Sequence, residues 1–260
     1  MNSAEMTRLA QESVKKKVPS LSELIIVVYG EKKVGKSTFA SRFPNPLFLD
    51  CEDALRSVVT PDGKRPAQVQ INSWSGDEYG LVEWTRFLGT PEGKSLGYKT
   101  IIVDGLNEAY FLLRQEILAK HRVKDENEGD LAYGKGGRLI RDAFRLWFHE
   151  LRKLTHHGYG IVLTAHEKTV DFENNGVSYN KKVPLVDGSK DERAWDAIKP
   201  AVDAIFYAYK KQGKDGVQHL VRTKGNQLHE AADPTHDARL PDNGPFSYQA
   251  IEQAYNGGNK

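Results

Sequence analysis

Gly30-Glu31-Lys32-Lys33-Val34-Gly35-Lys36-Ser37 decides the fold of this chain, because its glycines, lysine and serine have the spacing of a phosphate-binding loop. The loop follows residues 24–29, a β-branched run that predicts a central parallel strand buried on both faces. A helix over residues 36–42 is predicted to follow. Glycines let the backbone amides fold inward around phosphate oxygens, and the helix N-terminus adds positive potential. The stretch and the adjoining Thr38 therefore predict a phosphate-binding site.

The chemistry expected of this loop is that of ATP with Mg²⁺. Lys36 would reach the β and γ phosphates, and the Ser37 hydroxyl would ligate the magnesium ion. A second ligand is predicted at Asp104, the acid that ends the predicted strand of residues 99–104. The alternative for Asp104 is a cap on the helix that starts near Leu106.

Composition limits the class of protein. The 260 residues carry 37 basic and 35 acidic side chains, so a net charge of +2 gives no bulk attraction to nucleic acid. Cys51 is the single cysteine, which excludes an intramolecular disulfide framework. The longest apolar runs fall far short of a membrane span, and no apolar signal core precedes them. We therefore expect a soluble, cytoplasmic protein with no membrane partner.

Alternating strands and helices predict an α/β fold with a mainly parallel sheet covered on both faces. Antiparallel strands are predicted near the C-terminus, as a hairpin followed by a second pair. The chain is predicted to divide into an N-terminal arm that could dock subunits, a core and a C-terminal tail with a short final helix. Further strands are predicted at 46–50, 67–71, 160–165, 168–172, 177–183, 204–209 and 218–222. Further helices are predicted at 77–88, 105–120, 139–154 and 248–255. The arm is predicted to comprise residues 1–20, the core 21–230 and the tail 231–260.

Hydrolysis needs a group that orients or deprotonates water, and Glu52, just past the second strand, is the best candidate. The segment Phe48-Leu49-Asp50-Cys51-Glu52 resembles the stretch of RecA-like recombinases that carries the catalytic glutamate. This resemblance implies a RecA-like P-loop core with Glu52 as the base. Asp50 is the second candidate, and a loop carboxylate beside a helix-capping Asp53 is the structural alternative.

Thr164-Ala165-His166-Glu167-Lys168 looks like a segment of phage-encoded RecA-like ATPases of the single-strand annealing class, an AAA-type phage nucleotide-binding group. The resemblance implies that His166 senses the γ-phosphate, although recombinases typically carry Gln at this point. A strand-end histidine with only structural hydrogen bonds is the alternative.

Arg222-Thr223-Lys224 resembles the closing strands of RecA-fold ATPases, where a spaced basic pair reaches the neighbouring subunit's ATP. The resemblance implies a homo-oligomer, a ring or filament, in which Arg222 and Lys224 stabilise phosphoryl transfer in trans. The alternative is a solvated basic strand end.

RecA-like proteins bind single-stranded DNA through two mobile loops, which correspond here to residues 123–137 and 167–193. The first loop mixes Lys124, Lys135 and Arg138 with four acids, so the second is the better candidate. Aromatic side chains for base stacking are present there. The predicted DNA-binding residues are Lys168, Lys181, Lys182, Lys190 and Arg193, with Phe172 and Tyr179 as stacking residues.

The function favoured by the sequence is ATP hydrolysis coupled to single-stranded DNA in phage-type recombination or annealing, with a single-strand-binding protein as a further partner. A small-molecule or nucleotide kinase is the first alternative. Its arginine lid would have to be Arg138, Arg141 and Arg145, whose helical spacing favours a solvated face instead. A weakly hydrolysing, nucleotide-gated scaffold is the second alternative.

Overall fold

The computed structural model describes residues 18–76, 79–174, 176–187, 193–214 and 216–257. Most of the predicted N-terminal arm therefore lies outside the described residues. Within them, the chain forms nine strands and seven α-helices joined by short 3₁₀ turns. The strands are β1 Ile25–Gly30, β2 Pro46–Asp50, β3 Ala67–Gln70, β4 Thr100–Asp104, β5 Gly160–Asn174, β6 Val177–Pro184, β7 Ala204–Gly213, β8 Gly216–Arg222 and β9 Gly244–Pro245. The helices are α1 Lys36–Ala40, α2 Leu81–Leu88, α3 Pro91–Ser95, α4 Leu106–His121, α5 Lys135–Lys153, α6 Arg193–Ile198 and α7 Tyr248–Tyr255.

One sheet contains these strands in the order β3-β2-β4-β5-β1-β7-β8-β9, with β6 paired to the outer part of β5. The contacts from β3 through β7 are parallel, and those of β5 with β6, β7 with β8 and β8 with β9 are antiparallel. The predicted α/β class, with a mainly parallel sheet and antiparallel C-terminal strands, is confirmed.

Apolar side chains pack on both faces of the sheet, because the central strands are buried from end to end. Helices α2, α4, α5 and α6 cover one face, where the core includes Leu113, Phe144 and Trp195. Helices α1 and α7 cover the other face, where Phe39 and Ile251 are buried. No helix among the described residues is long and apolar enough to cross a bilayer.

Several predicted boundaries change in the structure. Strand β5 is continuous from Gly160 to Asn174, so the predicted core strand and hairpin strand are one element and His166 lies inside it. Helix α5 begins at Lys135, which shortens the predicted first loop. Helix α2 begins at Leu81, and α1 ends at Ala40. Propensity leaves helix ends uncertain by a few residues, because caps and tertiary contacts decide them.

Candidate active site

The residues predicted to bind phosphate and magnesium and to activate water lie close together, because four parallel strands end at the same edge of the sheet. Gly30 of β1 is aligned with His166 of β5, and Asp104 of β4 is aligned with Thr164 of β5. Asp50 of β2 lies opposite Asp104. Ligands of open α/β sheets bind at this carboxyl edge.

The phosphate-binding loop runs from β1 into α1 and is held close to its neighbours. A Cβ atom on Gly30 would lie 2.0 Å from the carbonyl oxygen of Ala208, so only glycine fits there. Lys36 is buried, and its Nζ donates to the carbonyl oxygens of Gly30 and Glu31 at 3.1 and 3.0 Å. Burial lowers the pKa of Lys36, and the nearby carboxylates Glu52, Asp104 and Glu167 oppose that effect. The lysine therefore occupies a buried position facing negative charge.

Asp104 lies next to this lysine at the end of β4. Its Oδ1 accepts hydrogen bonds from Ser37 Oγ at 3.1 Å and from Thr164 Oγ1 at 2.5 Å, and Gly105 N–H donates to Thr164 Oγ1 at 3.0 Å. Burial raises the pKa of Asp104 to about 6 despite these bonds. Its Oδ2 is buried without a hydrogen-bond partner in the part of the chain that is described.

These donors fit a magnesium ion. A buried carboxylate oxygen without a partner costs free energy unless a cation neutralises it, and oxygen donors are the ligands that Mg²⁺ prefers. The Ser37 hydroxyl and the Asp104 carboxylate would hold the ion.

Glu52 contacts His166 across the same edge. The His166 Nε2 lies 3.1 Å from Glu52 Oε1, and this hydrogen bond is the main cause that lowers the pKa of Glu52. Lys36 and Lys32 lower it further. A Cβ on Gly105 would lie 2.4 Å from Glu52 Cγ, so the glycine leaves room for this side chain. Glu52 is thus a carboxylate that stays ionised beside the phosphate-binding loop.

Asp50, the second candidate base, has a different environment. It is fully buried, burial raises its pKa, and its Oδ1 accepts the Glu52 N–H at 3.1 Å. Asp50 therefore shapes the turn that presents Glu52, and of the two carboxylates it is Glu52 whose pKa is lowered by the nearby Lys36 and Lys32 of the phosphate-binding loop.

Two predicted DNA-binding lysines make ion pairs within the chain. Lys181 lies 2.7 Å from Glu230, and Lys182 lies 2.7 Å from Glu167 and 3.0 Å from the Tyr207 hydroxyl. Lys168 lies on the same hairpin, Arg193 lies apart from it at the start of α6, and Lys190 falls outside the described residues. Ion pairing lowers the charge that Lys181 and Lys182 offer to a phosphate.

Arg222 and Lys224, which were predicted to act on a neighbouring subunit's ATP, lie in different environments. Arg222 donates to Asp242 at 2.9 Å and to Asn243 at 2.8 Å in its own chain. Lys224 lies beyond the end of β8 and is exposed. Of the two, Lys224 has the exposure that a contact with a neighbouring subunit requires.

A cavity of about 340 Å³ adjoins the phosphate-binding loop on the side of α7. Val34, Gly35 and Thr38 form its inner wall, and Phe246 and Gln249 lie across from them. His219 from β8 fixes this wall, since its Nδ1 lies 2.8 Å from the Val34 carbonyl oxygen. The cavity therefore borders the phosphate-binding loop and the start of α1.

The sequence did not indicate a role in the site for three residues that the structure places there, namely Thr164, Gly105 and His219. Thr164 could have been found only from the register of β5 with β4, and His219 only from the pairing of β8 with β7. Gly105 follows the strand-end acid directly, which was a usable signal.

Comparisons with known proteins identify the family of this chain. The family model described as an AAA domain matches residues 22–235. The SPbeta prophage-derived uncharacterized protein YorG of Bacillus subtilis strain 168 is 26% identical over 155 residues, which are 55% of this chain and 40% of that protein. This chain thus matches less than half the length of that relative.

Two solved structures are similar, each with a TM-score of 0.40. They are the KaiC-like protein PH0186 of Pyrococcus horikoshii OT3, with 13% identity and 81% of each chain covered, and the flagellar accessory protein FlaH of Methanocaldococcus jannaschii, with 9% identity and 82% of each covered. The family match spans the phosphate-binding loop, Glu52, Asp104 and His166. The chain belongs to the AAA domain family of P-loop ATPases.

Proposed function

We propose that the protein binds ATP with Mg²⁺ and hydrolyses it, with Glu52 as the group that orients and deprotonates the attacking water. The observation that carries this proposal is the Glu52–His166 pair at 3.1 Å, located beside the buried Lys36. A carboxylate held ionised next to a phosphate-binding loop is what activation of water requires.

Each residue of the site has a separate role in this proposal. Lys36 would leave the carbonyl oxygens of Gly30 and Glu31 and place its charge on the β and γ phosphates. Magnesium, held by Ser37 and Asp104, would neutralise phosphate charge. His166 keeps Glu52 oriented and, as the γ-phosphate leaves, could report the change along β5.

The proposed cellular role is action on single-stranded DNA in phage-type recombination or annealing, in the host bacterial cytoplasm. The resemblance to phage RecA-like ATPases and the prophage relative support it. The protein would work as a ring or filament, with Lys224 reaching the neighbour's ATP, and a single-strand-binding protein could supply the DNA substrate.

The direct test is a measurement of Mg²⁺-dependent ATPase activity with and without single-stranded DNA. We expect steady hydrolysis that rises several-fold with DNA. Phosphoryl transfer to a small-molecule acceptor, with no effect of DNA, would establish the kinase alternative. Tight ATP binding with almost no turnover under either condition would establish the scaffold.

The cavity beside α7 predicts where the nucleoside binds. Gln249 is exposed and lines this cavity, so Gln249→Trp should fill it without disturbing the core. ATP affinity should fall by about tenfold, or 1.4 kcal/mol, while affinity for inorganic tripolyphosphate stays unchanged. Calorimetry with both ligands measures this.

Gln253→Trp is the matched control, because Gln253 is also exposed on α7 but does not line the cavity. An equal loss of tripolyphosphate affinity in Gln249→Trp would mean that the substitution disturbs the loop itself. Unchanged ATP affinity would place the nucleoside elsewhere.

A further inference from the structure

The shape of the phosphate-binding loop depends on the backbone around Val34. Lys33 and Gly35, on either side of it, have φ angles of 61° and 102°, in the left-handed region. Left-handed residues that alternate with ordinary ones turn successive N–H groups toward one side, which makes a concave site for anions. The loop can hold phosphates in this way only if the carbonyl oxygen of Val34 points elsewhere.

The carbonyl oxygen of Val34 has a partner on a distant strand. The Nδ1 of His219, on β8, lies 2.8 Å from it. A carbonyl oxygen only accepts hydrogen bonds, so Nδ1 carries the proton and donates it to this bond. The Val34 side chain is fully buried, so the bond and the packing together hold the residue in place.

The backbone of His219 is itself held on two sides. Lys210 of β7 lies opposite it in the β7–β8 ladder. The Phe246 N–H, in the segment that leads into α7, donates to the His219 carbonyl oxygen at 3.0 Å. The imidazole therefore reaches the loop from a fixed strand, although part of the residue is exposed.

The bond from His219 should survive nucleotide binding. Lys36 Nζ donates to the carbonyl oxygens of Gly30 and Glu31, and in the proposed function it exchanges them for phosphate oxygens. The bond between His219 and Val34 uses no group that would contact a phosphate. It can therefore hold the loop in the same shape before and after the lysine moves.

We infer that His219 is a positioning residue, whose Nδ1–H holds the Val34 carbonyl outward so that the N–H groups of the loop face the phosphates. The inference rests on the proposed function and extends it to a residue of the C-terminal strands. A site that already has its bound shape loses less free energy when the ligand binds. The bond thereby makes nucleotide affinity depend on the position of β8.

The test compares three substitutions of His219 by calorimetry, with ATP and with inorganic tripolyphosphate, each in the presence of Mg²⁺. His219→Ala should weaken the binding of both ligands by the same factor, about fivefold, the scale of one lost hydrogen bond. His219→Asn should stay within about twofold of the parent, because its amide nitrogen is attached to Cγ, as Nδ1 is, and can donate the same bond. His219→Gln, whose amide nitrogen lies one atom farther out, should lose as much affinity as the alanine variant.

Steady-state kinetics give a second readout. The KM for ATP should rise in His219→Ala by the same factor as the dissociation constant, with a smaller loss in kcat, because the bond between His166 and Glu52 is not altered. Val217→Ala is the matched control. Val217 lies two positions away on the same face of β8, is 54% exposed and does not line the cavity beside the loop. Its affinities and its KM should match those of the parent.

Two outcomes would overturn the inference alone. If His219→Asn loses as much affinity as His219→Ala, with both variants unfolding near the parent temperature, the donor at Nδ1 does not position the loop. If His219→Ala loses affinity for ATP but not for tripolyphosphate, the imidazole contacts the nucleoside instead.

A variant that does not fold and a failure of the proposed function give different results from these. If His219→Ala does not fold, the comparison of His219→Asn with His219→Gln decides, and equal affinities in those two would contradict the inference. If the parent protein binds neither ligand, the proposed function fails and the inference fails with it.

Discussion

Glu52→Gln is expected to leave ATP bound and to slow its hydrolysis by about 100-fold or more, the usual scale for loss of a general base. The amide keeps the shape of the side chain and can still contact His166, but it cannot accept a proton from water. Calorimetry should give parent-like ATP affinity, and single-turnover hydrolysis should give the rate loss. Turnover within about threefold of the parent would assign the base to another acid.

Asp50→Asn is the matched control for that experiment. Asp50 Oδ1 accepts the Glu52 N–H, and the oxygen of asparagine can accept the same bond. We therefore expect its hydrolysis rate to stay within a few fold of the parent. A rate loss equal to that of Glu52→Gln would make Asp50 the base.

His166→Ala extends the test to the partner of Glu52. Because His166 acts on hydrolysis through Glu52, the loss in the double variant should be smaller than the product of the two single losses. Independent, multiplicative losses would mean that His166 contacts the nucleotide by itself.

The sequence predicted those parts of the site that depend on residues close together along the chain. The spacing of Gly30, Gly35 and Lys36 requires a strand on one side and a helix on the other, and both are present. Asp104 and Glu52 follow apolar strands directly, and parallel strands that share a carboxyl edge bring such residues together.

Contacts between distant segments could not be predicted. The sequence indicates a surface lysine at Lys181, and only the packing of the segment beyond β8 shows that it pairs with Glu230, which also pairs with Lys199. Arg193 and Arg138 line one cavity because α6 packs on α5, a contact that no local pattern indicates. Charge counted along a loop therefore does not show how much of that charge reaches the surface, because pairing within the chain decides it.

Lys36→Ala is expected to abolish detectable ATP binding, a loss of about 100-fold or more. The lysine supplies a point charge to two phosphate groups, and a hydrogen bond to a charged group is worth about 1.5–3 kcal/mol. Thermal unfolding with and without saturating ATP measures this loss. At ATP concentrations near 100 times the dissociation constant, the parent should gain about 2.7 kcal/mol of stability, whereas the variant should gain almost none.

The side chain also bonds to the loop carbonyl oxygens of Gly30 and Glu31, so loss of binding could arise from a disordered loop. Lys36→Met keeps most of the side-chain volume but removes the ammonium group with its charge and its hydrogen bonds, so it distinguishes lost packing in the loop from loss of the ammonium group. If both variants unfold near the parent temperature without ATP and neither is stabilised by it, the charge is what binds the phosphates. Lys33→Ala, which removes an exposed lysine of the same loop, should lose no more than a few fold in affinity. An ATP-induced shift in Lys36→Met equal to that of the parent would remove the phosphate-binding role from this lysine, and with it the basis for placing Glu52 beside a γ-phosphate.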